Sequence, residues 1–315
     1  MKKTLIFCFF SLFILLHSAA SNDVQAQTSC DYEKLGQASL KDVGGFLLVT
    51  VSINGHPFNM VVDTGSEGSL IFPEGAKLLN LPIDPNRQTV VQGPRGGQEL
   101  VKNVFIRQMK LGQLTIGPLS VPLGNLPTYP KLDIPVIGLI GGDILSHFDL
   151  DFNIKSGILS FWHIESNSML CHVPPFWGDE MQSVALKMIG HRPFVTVKVD
   201  GKPLVALLDS GARSRIVSFE TAIKIGVPYH VLTKDPGGIA SGVDMRSSRY
   251  YWHKFKTFQL GQDIEHNPIL TVSQLYDSMN MLIGSDWFAS RHVWVSYSRH
   301  KLFFMNNAIS NGKTK

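Results

Sequence analysis

Short apolar runs separated by turn residues follow one another along most of the chain. Residues 46–53 read FLLVTVSI and are followed by Asn54-Gly55, the dipeptide most typical of a two-residue hairpin turn. Residues 148–161 alternate between apolar and polar side chains, which predicts two further strands. A short helix is predicted over 73–81, because proline stands at its start and helical spacing follows. The pattern therefore predicts an all-β protein with short helices.

The same order of elements occurs twice. Residues 59–71 read NMVVDTGSEGSLI and residues 204–217 read LVALLDSGARSRIV, so each copy has an apolar strand that runs into Asp-Thr/Ser-Gly. A shift of 146 residues that sets Asp63 on Asp209 also aligns glycines, prolines and a glutamate on both sides of the motif. Each copy later carries a Leu-Ile-Gly segment. This order indicates a tandem duplication with about half of the chain in each copy.

The N-terminal segment, residues 1–26, is expected to be a secretory signal peptide. Lys2-Lys3 precede twelve almost purely apolar residues, 5–16, and small residues follow. Twelve residues are fewer than the ~20 that a membrane-spanning helix needs. Cleavage after Ala20 or after Ala26 stays open. The mature protein is therefore expected to be periplasmic or secreted.

The remaining chain divides at a break in the repeat pattern. Residues 28–44 show no periodicity and are expected to be an irregular lead-in, and Pro174-Pro175 marks the middle of the break. The expected domains are an N-terminal lobe over 27–165, a linker over 166–185 and a C-terminal lobe over 186–310.

Charge and cysteine content narrow the function classes. The chain has 29 basic and 25 acidic residues, so nothing suggests nucleic acid or an acidic membrane surface as a partner. Cys8 lies in the signal segment, which leaves Cys30 and Cys171 as a pair in an oxidising compartment. We predict a disulfide between them. The 11 histidines lack a metal-like spacing, and no metal or cofactor is expected.

In the repeated motifs the chain resembles the retropepsin-like aspartic proteases, the clan that also holds the pepsins. Matching segments cover 45–161 and 192–304. The resemblance implies two pseudo-symmetric acid-protease lobes with the active-site cleft between them. Most retropepsins carry one motif per chain and dimerise, whereas both halves lie in one chain here, so a monomer with an intramolecular pseudo-dimer is expected. Ser66 also departs from the alanine usual in the family, which Ala212 keeps.

The resemblance assigns roles to residues of both motifs. Asp63 and Asp209 are the catalytic candidates, because one carboxylate can activate water while the other protonates the leaving nitrogen. Two carboxyls at contact distance cannot both ionise, so they share a proton and titrate as a unit. The alternative is that both are ordinary turn residues. The residues expected to support the catalytic loops are Thr64, Gly65, Ser210 and Gly211. The glycines expected in two flaps that close over substrate are Gly93, Gly96, Gly97, Gly238 and Gly242.

Other charged residues near the motifs have simpler interpretations. Asp143 and Asp286 follow the two Leu-Ile-Gly segments and are expected to cap short helices. Glu67 and Arg213 are expected to be solvated surface residues, with a role in tuning the cleft as the alternative.

Two functions fit the sequence. The first is an exported aspartic endopeptidase that hydrolyses peptide bonds with a water activated between two aspartates. The second is a non-catalytic two-lobe module that binds peptide or protein in the same cleft. Loss of either aspartate would have favoured the second function, and both aspartates are present. The expected partner is a peptide or protein substrate, with no nucleic acid and no membrane after signal removal.

Overall fold

The computed structural model describes most of the chain after the first thirty residues. The described residues are 31–92, 98–125, 135–165, 174, 177, 180–241, 247–275 and 279–307. The predicted signal peptide and both cysteines of the predicted disulfide lie outside these ranges. Within them, no helix is long and apolar enough to cross a membrane.

The first half of the chain is built almost entirely from strands. Its strands are β1 (Asp31–Val43), β2 (Phe46–Ile53), β3 (His56–Val62), β4 (Leu70–Ile71), β5 (Ile83–Gln92), β6 (Gln98–Ile106), β7 (Met109–Leu111), β8 (Leu114–Ile116), β9 (Leu119–Pro122), β10 (Val136–Ile140), β11 (Asp149–Asn153) and β12 (Ile158–Glu165). Its helices are α1 (Pro73–Leu78) and α2 (Gly142–Leu145).

The second half repeats this content. Its strands are β13 (Gln182–Ala185), β14 (Lys187–Ile189), β15 (Arg192–Val199), β16 (Lys202–Leu208), β17 (Ile216–Ser218), β18 (Gly237–Ser241), β19 (Ser247–Lys254), β20 (Thr257–Leu260), β21 (Asp263–His266), β22 (Ile269–Ser273), β23 (Met281–Ile283), β24 (Arg291–Ser296) and β25 (Lys301–Asn306). Its helices are α3 (Phe219–Lys224), α4 (Tyr229–Leu232) and α5 (Ser285–Ala289).

These elements form two sheet-rich lobes that match the two repeats, which confirms the predicted all-β, two-lobe fold. The predicted hairpin is β2–β3, and its turn residues Asn54 and Gly55 have φ angles of 50° and 92°. Both angles fit the type I′ turn that Asn-Gly favours. Helix α1 is shorter than predicted, because Asn80 takes a φ of 49° just past its end and stops the helix.

One antiparallel sheet joins the two lobes. Strand β11 of the first lobe pairs with β24 of the second, with Leu150 opposite Val295 and Phe152 opposite Val293. The order across this region is β13-β25-β24-β11-β12-β1, so each lobe contributes three neighbouring strands. The four paired side chains named here are fully buried. The lobes therefore share one hydrophobic core beneath the cleft.

Two regions differ from the sequence expectation. Residues 31–43 of the predicted irregular lead-in form β1, which pairs first with β12 and then with β2. A register shift between Lys34 and Gly36 interrupts its alternation, which explains why no periodicity was visible. Residues 182–185, within the predicted linker, form β13 at the edge of the shared sheet, because they pair with β25.

The flap hairpins are attached differently in the two lobes. Strands β5 and β6 form a separate three-stranded sheet with β9. Strands β18 and β19 instead continue the main sheet of the second lobe, because β19 pairs with β22 over five residues. The second hairpin is thus part of the main sheet of its lobe, and the first is not.

Candidate active site

Each aspartate of the repeated motif stands where a buried strand ends. Strands β3 and β16 stop immediately before Asp63 and Asp209, respectively. The backbone N–H of Asp63 donates to the Ile140 carbonyl at 2.9 Å, and that of Asp209 donates to the Ile283 carbonyl at 3.0 Å. The two Leu-Ile-Gly segments therefore support equivalent loops in the two lobes.

A reciprocal set of hydrogen bonds fastens the two loops to each other. The Thr64 hydroxyl donates to the Leu208 carbonyl at 2.6 Å and accepts the Ser210 N–H at 3.1 Å. The Ser210 hydroxyl donates to the Val62 carbonyl at 2.7 Å and accepts the Thr64 N–H at 3.0 Å. Thr64 and Ser210 are fully buried, so each of these bonds is shielded from water. They hold the two aspartates at a fixed separation.

Each aspartate is also oriented by its own loop. The Asp63 Oδ1 atom accepts the Gly65 N–H at 3.0 Å and the Ser66 N–H at 2.9 Å. The equivalent bonds in the second loop, to Asp209 Oδ1, are 3.0 and 2.9 Å long. One oxygen of each carboxyl is thereby fixed by backbone donors, and the geometry is nearly the same in both lobes.

The two carboxyl groups meet across the lobe interface. Each carboxyl lies against the glycine of the opposite loop. A Cβ atom at Gly65 would overlap the Asp209 carboxyl, and one at Gly211 would overlap the Asp63 carboxyl. Glycine is therefore required at both positions by the opposite lobe as well as by the turn.

The proton affinity of the pair is raised. Burial raises the pKa of Asp63 well above its usual range, and the neighbouring Asp209 carboxyl raises it further. Burial also raises the pKa of Asp209, although loop N–H groups, the Asp63 carboxyl and the charge of Arg192 lower it. Two carboxyls in one recess hold a proton between them. The arrangement can therefore provide an acid and a base at the same point.

Two contacts that cross between the lobes flank this pair, and the sequence did not predict either. On one side, Glu67 accepts the His191 N–H at 2.9 Å and forms an ion pair of 3.4 Å with Arg192. On the other side, Arg213 Nε donates to the Gly44 carbonyl at 2.6 Å, and its guanidinium lies 5.4 Å from the centre of the Phe46 ring. Glu67 and Arg213 are exposed, but they connect the lobes and are more than solvated surface residues.

The expectation that Asp143 caps a helix is wrong. Helix α2 has no side-chain cap, and Asp143 instead accepts the Ser69 N–H at 2.8 Å and the Ser69 hydroxyl at 2.6 Å. Ser69 follows the loop that carries Asp63, so the carboxylate holds that loop against α2. The expectation is wrong for Asp286 as well: helix α5 has no side-chain cap, and Asp286 instead accepts a hydrogen bond of 2.9 Å from Arg215.

Of the predicted flap glycines, the structure describes one. Gly238 lies in β18, opposite Tyr250, whose ring packs against it. The other predicted flap glycines, Gly93, Gly96, Gly97 and Gly242, lie outside the described residues. Among the residues that the structure describes, no cluster of histidine, cysteine, aspartate or glutamate side chains could bind a metal ion.

Two sheet-rich lobes, each bringing one aspartate to a shared interface, define the two-lobed aspartic protease class. Comparison with protein families agrees. Residues 49–144 match the family described as aspartyl protease, and residues 195–290 match the gag-polyprotein putative aspartyl protease family. The chain is thus a tandem of two retropepsin-like aspartyl protease domains. No match was found among curated proteins.

Proposed function

We propose that this protein is an exported aspartic endopeptidase whose catalytic pair is Asp63 and Asp209. Membership of the aspartyl protease families supports a protease in general. The observation that carries the finer proposal is the meeting of two carboxyls across the lobe interface, each fixed by its own loop and each against the glycine of the opposite loop. The expected substrate is an extended peptide or protein segment bound between the lobes.

The chemistry follows from the shared proton. The ionised carboxyl takes a proton from a water molecule, whose oxygen forms a bond to the scissile carbonyl carbon, while the protonated carboxyl donates to the carbonyl oxygen. The proton taken from water is then delivered to the leaving nitrogen as the carbon–nitrogen bond breaks. As the carbonyl re-forms, a hydroxyl of the tetrahedral intermediate returns a proton to the other carboxylate, so the pair has bound two protons and released two and is ready for another cycle.

Export is part of the proposal. Its support is the segment 1–26, with two lysines, twelve apolar residues and small residues at its end. N-terminal sequencing of the protein from extracytoplasmic material should find a start near Ser21 or Gln27. An intact Met1 on a cytoplasmic protein would contradict export.

Cleavage mapping tests the activity. The purified mature protein is incubated with a proteome-derived peptide mixture at several pH values, and new termini are identified by mass spectrometry. We expect internal cleavages that are absent with Asp63→Asn. If the wild type binds peptides with a measurable Kd and produces no new termini at any pH, the protein is a peptide-binding module.

A further inference from the structure

Strands β15 and β16 bring a charged residue next to the second aspartate. Phe194 of β15 pairs with Leu207 of β16. Continued by two residues, this register sets Arg192, the first residue of β15, opposite Asp209. Opposite residues of an antiparallel pair project from the same face, with Cβ atoms about 5 Å apart. The Arg192 side chain therefore starts beside the Asp209 carboxyl.

The equivalent position of the first lobe carries an uncharged residue. The register of β2 and β3, continued in the same way, sets Phe46 opposite Asp63. The shift of 146 residues that relates Asp63 to Asp209 also relates Phe46 to Arg192. The loops that carry the two aspartates have matching hydrogen bonds. The residue opposite each aspartate therefore makes the surroundings of two otherwise similar carboxyls unequal.

Glu67 compensates the charge of Arg192 only in part. Its carboxylate lies 3.4 Å from Arg192 Nε, but the Glu67 side chain is 53% exposed, whereas that of Arg192 is 25% exposed. The same carboxylate also accepts the His191 N–H at 2.9 Å. Water screens the field of an exposed charge more than that of a largely buried one. The field that this contact exerts on Asp209 is therefore positive.

The proton affinities of the two carboxyls agree with this placement. Burial raises the pKa of both, and it raises the pKa of Asp63 well above the usual range. The charge of Arg192 lowers the pKa of Asp209. A nearby cation favours the ionised form of a carboxyl, and an apolar neighbour does not. A proton shared by the pair is therefore held better by Asp63 than by Asp209.

Other ionisable side chains around the pair and Arg192 are Asp42, Glu67, Asp143, His191, Arg213 and Tyr297. Arg213 is the counterpart of Glu67, and its guanidinium lies over the Phe46 ring. His191 precedes Arg192, and its Nδ1 atom shares a hydrogen bond of 2.9 Å with the Ser146 hydroxyl. Arg192 differs from all of these because the strand register sets it directly opposite an aspartate.

We propose that Arg192 is a positioning residue that keeps the negative charge of the pair on Asp209 and the shared proton on Asp63. Asp209 is then the base that takes a proton from water, and Asp63 is the acid that donates to the carbonyl oxygen. These two roles rest on the proposed endopeptidase function, whereas the position of the proton does not.

Titration of single carboxyls tests the position of the proton. In Asp63→Asn the Asp209 carboxyl titrates without its partner, and in Asp209→Asn the Asp63 carboxyl does. Each titration is followed by the NMR chemical shift of the carboxyl carbon in protein isotope-labelled at aspartate, and the double variant identifies the signal. We expect the pKa of Asp209 to lie about one pH unit below that of Asp63, because the cation stabilises the ionised form.

Variants of the flanking contact identify the cause of this difference. In the Asp63→Asn background, Arg192→Gln should bring the pKa of Asp209 to within about 0.3 pH unit of the Asp63 value, and Arg192→Lys should keep it low because the charge remains. Glu67→Gln should lower it further, since the compensating charge is removed while the amide oxygen can still accept the His191 N–H.

Two controls isolate the effect of the Arg192 charge. His191→Gln, added to each variant, removes the titration of that side chain and should leave the order of the pKa values unchanged. Arg87→Gln, the same substitution at an exposed residue of β5, should leave the pKa of Asp209 unchanged. Equal pKa values for the two single carboxyls, or a difference that Arg192→Gln leaves unchanged, would overturn the proposal. If Arg192→Gln does not fold, an Asp209 pKa that Glu67→Gln leaves unchanged overturns it instead.

The pH dependence of cleavage separates an electrostatic role from a structural one. Arg192→Gln should shift both limbs of the kcat/KM profile upward by about half a pH unit or more, and Glu67→Gln should shift them downward. A loss of kcat/KM at every pH with unmoved limbs would show a structural role and contradict the proposal.

The titrations need no substrate, so they separate this proposal from the proposed activity. If the expected pKa values are found and the wild type cleaves nothing at any pH, the endopeptidase function is wrong and the position of the proton stands. If cleavage is normal and the two single carboxyls titrate alike, Arg192 has no such role.

Discussion

Gly65 and Gly68 lie three residues apart in one loop, and only the first meets the opposite lobe. A Cβ atom at Gly65 would overlap the Asp209 carboxyl, whereas one at Gly68 would be 3.8 Å from the nearest Asp143 oxygen, an ordinary contact. We predict that Gly65→Ala displaces Asp209 and lowers kcat/KM about 100-fold or more. Gly68→Ala should change it by less than about threefold. Equal losses from the two variants would show that the approach of Asp209 to Gly65 is unimportant.

The raised pKa of Asp63 makes a prediction about stability. Burial raises this pKa above its ordinary value of 3.8, so between the two values the folded state binds more protons than the unfolded state. Asp63 therefore contributes most to the free energy of unfolding when the pH is below its ordinary pKa. This contribution falls as the pH rises through the raised pKa of the folded state. Urea unfolding of Asp63→Asn should show a weaker decline above about pH 4 than the wild type.

Asp84 provides the control, because hydrogen bonds from Ser120 and Asn86 lower its pKa. A group of this kind stabilises the fold above its ordinary pKa and loses that contribution as the pH falls. Asp84→Asn should therefore leave the decline above pH 4 as it is in the wild type. An unchanged decline in Asp63→Asn would contradict the assignment of this pH dependence to the pair.

Among individual residues, the sequence indicated part of the candidate active site. Asp63, Asp209, Thr64 and Ser210 were found because they lie within two copies of one short motif. The partner of Glu67 could not be found in this way, since Arg192 lies in the other lobe and its counterpart in the repeat is not charged. Contacts between lobes depend on how the lobes pack, and a motif does not encode that.

Among the elements, strand β1 shows most clearly where sequence patterns fail. Alternation predicts a strand when one face stays buried throughout. Strand β1 has a register shift between Lys34 and Gly36, and the buried face that follows begins with the small residues Gly36 and Ala38, so little apolar alternation is visible in its sequence. By contrast, β2 was predicted with its observed bounds, because it carries one apolar run and an Asn-Gly turn.

The register of β1 also bears on the predicted disulfide. Asp31, which follows Cys30 in the sequence, pairs with Glu165, which precedes Cys171 by six residues. We predict that Cys30 and Cys171 are bonded and that the bond stabilises the fold by about 4 kcal/mol in the chain-entropy description. Thiol labelling of the unfolded, non-reduced mature protein should find no free cysteine. Two labelled cysteines would exclude the bond.

For the whole molecule, the pairing of β11 with β24 has a functional consequence. It places both motifs on one chain across a shared sheet, so the two halves of the site are free to differ. The loops that carry the aspartates stayed alike, with matching hydrogen bonds in both lobes. The flanking contacts and the attachment of the flaps diverged. We infer that catalysis requires the two aspartate loops to be alike, whereas substrate recognition does not require the flanking contacts and flaps to be alike.

The central claim is that Asp63 and Asp209 act as one catalytic unit, and single-turnover kinetics of three variants test it most directly. Asp63→Asn and Asp209→Asn should each lower the cleavage rate about 1,000-fold or more, and the double variant should be no slower than either, because residues of one unit are not additive. Asp84→Asn, the same substitution at a half-buried carboxyl of β5, should keep the wild-type rate. The wild-type pH–rate profile should be a bell bounded by the two apparent pKa values of the pair. A folded single variant that kept most of the wild-type rate would contradict the account.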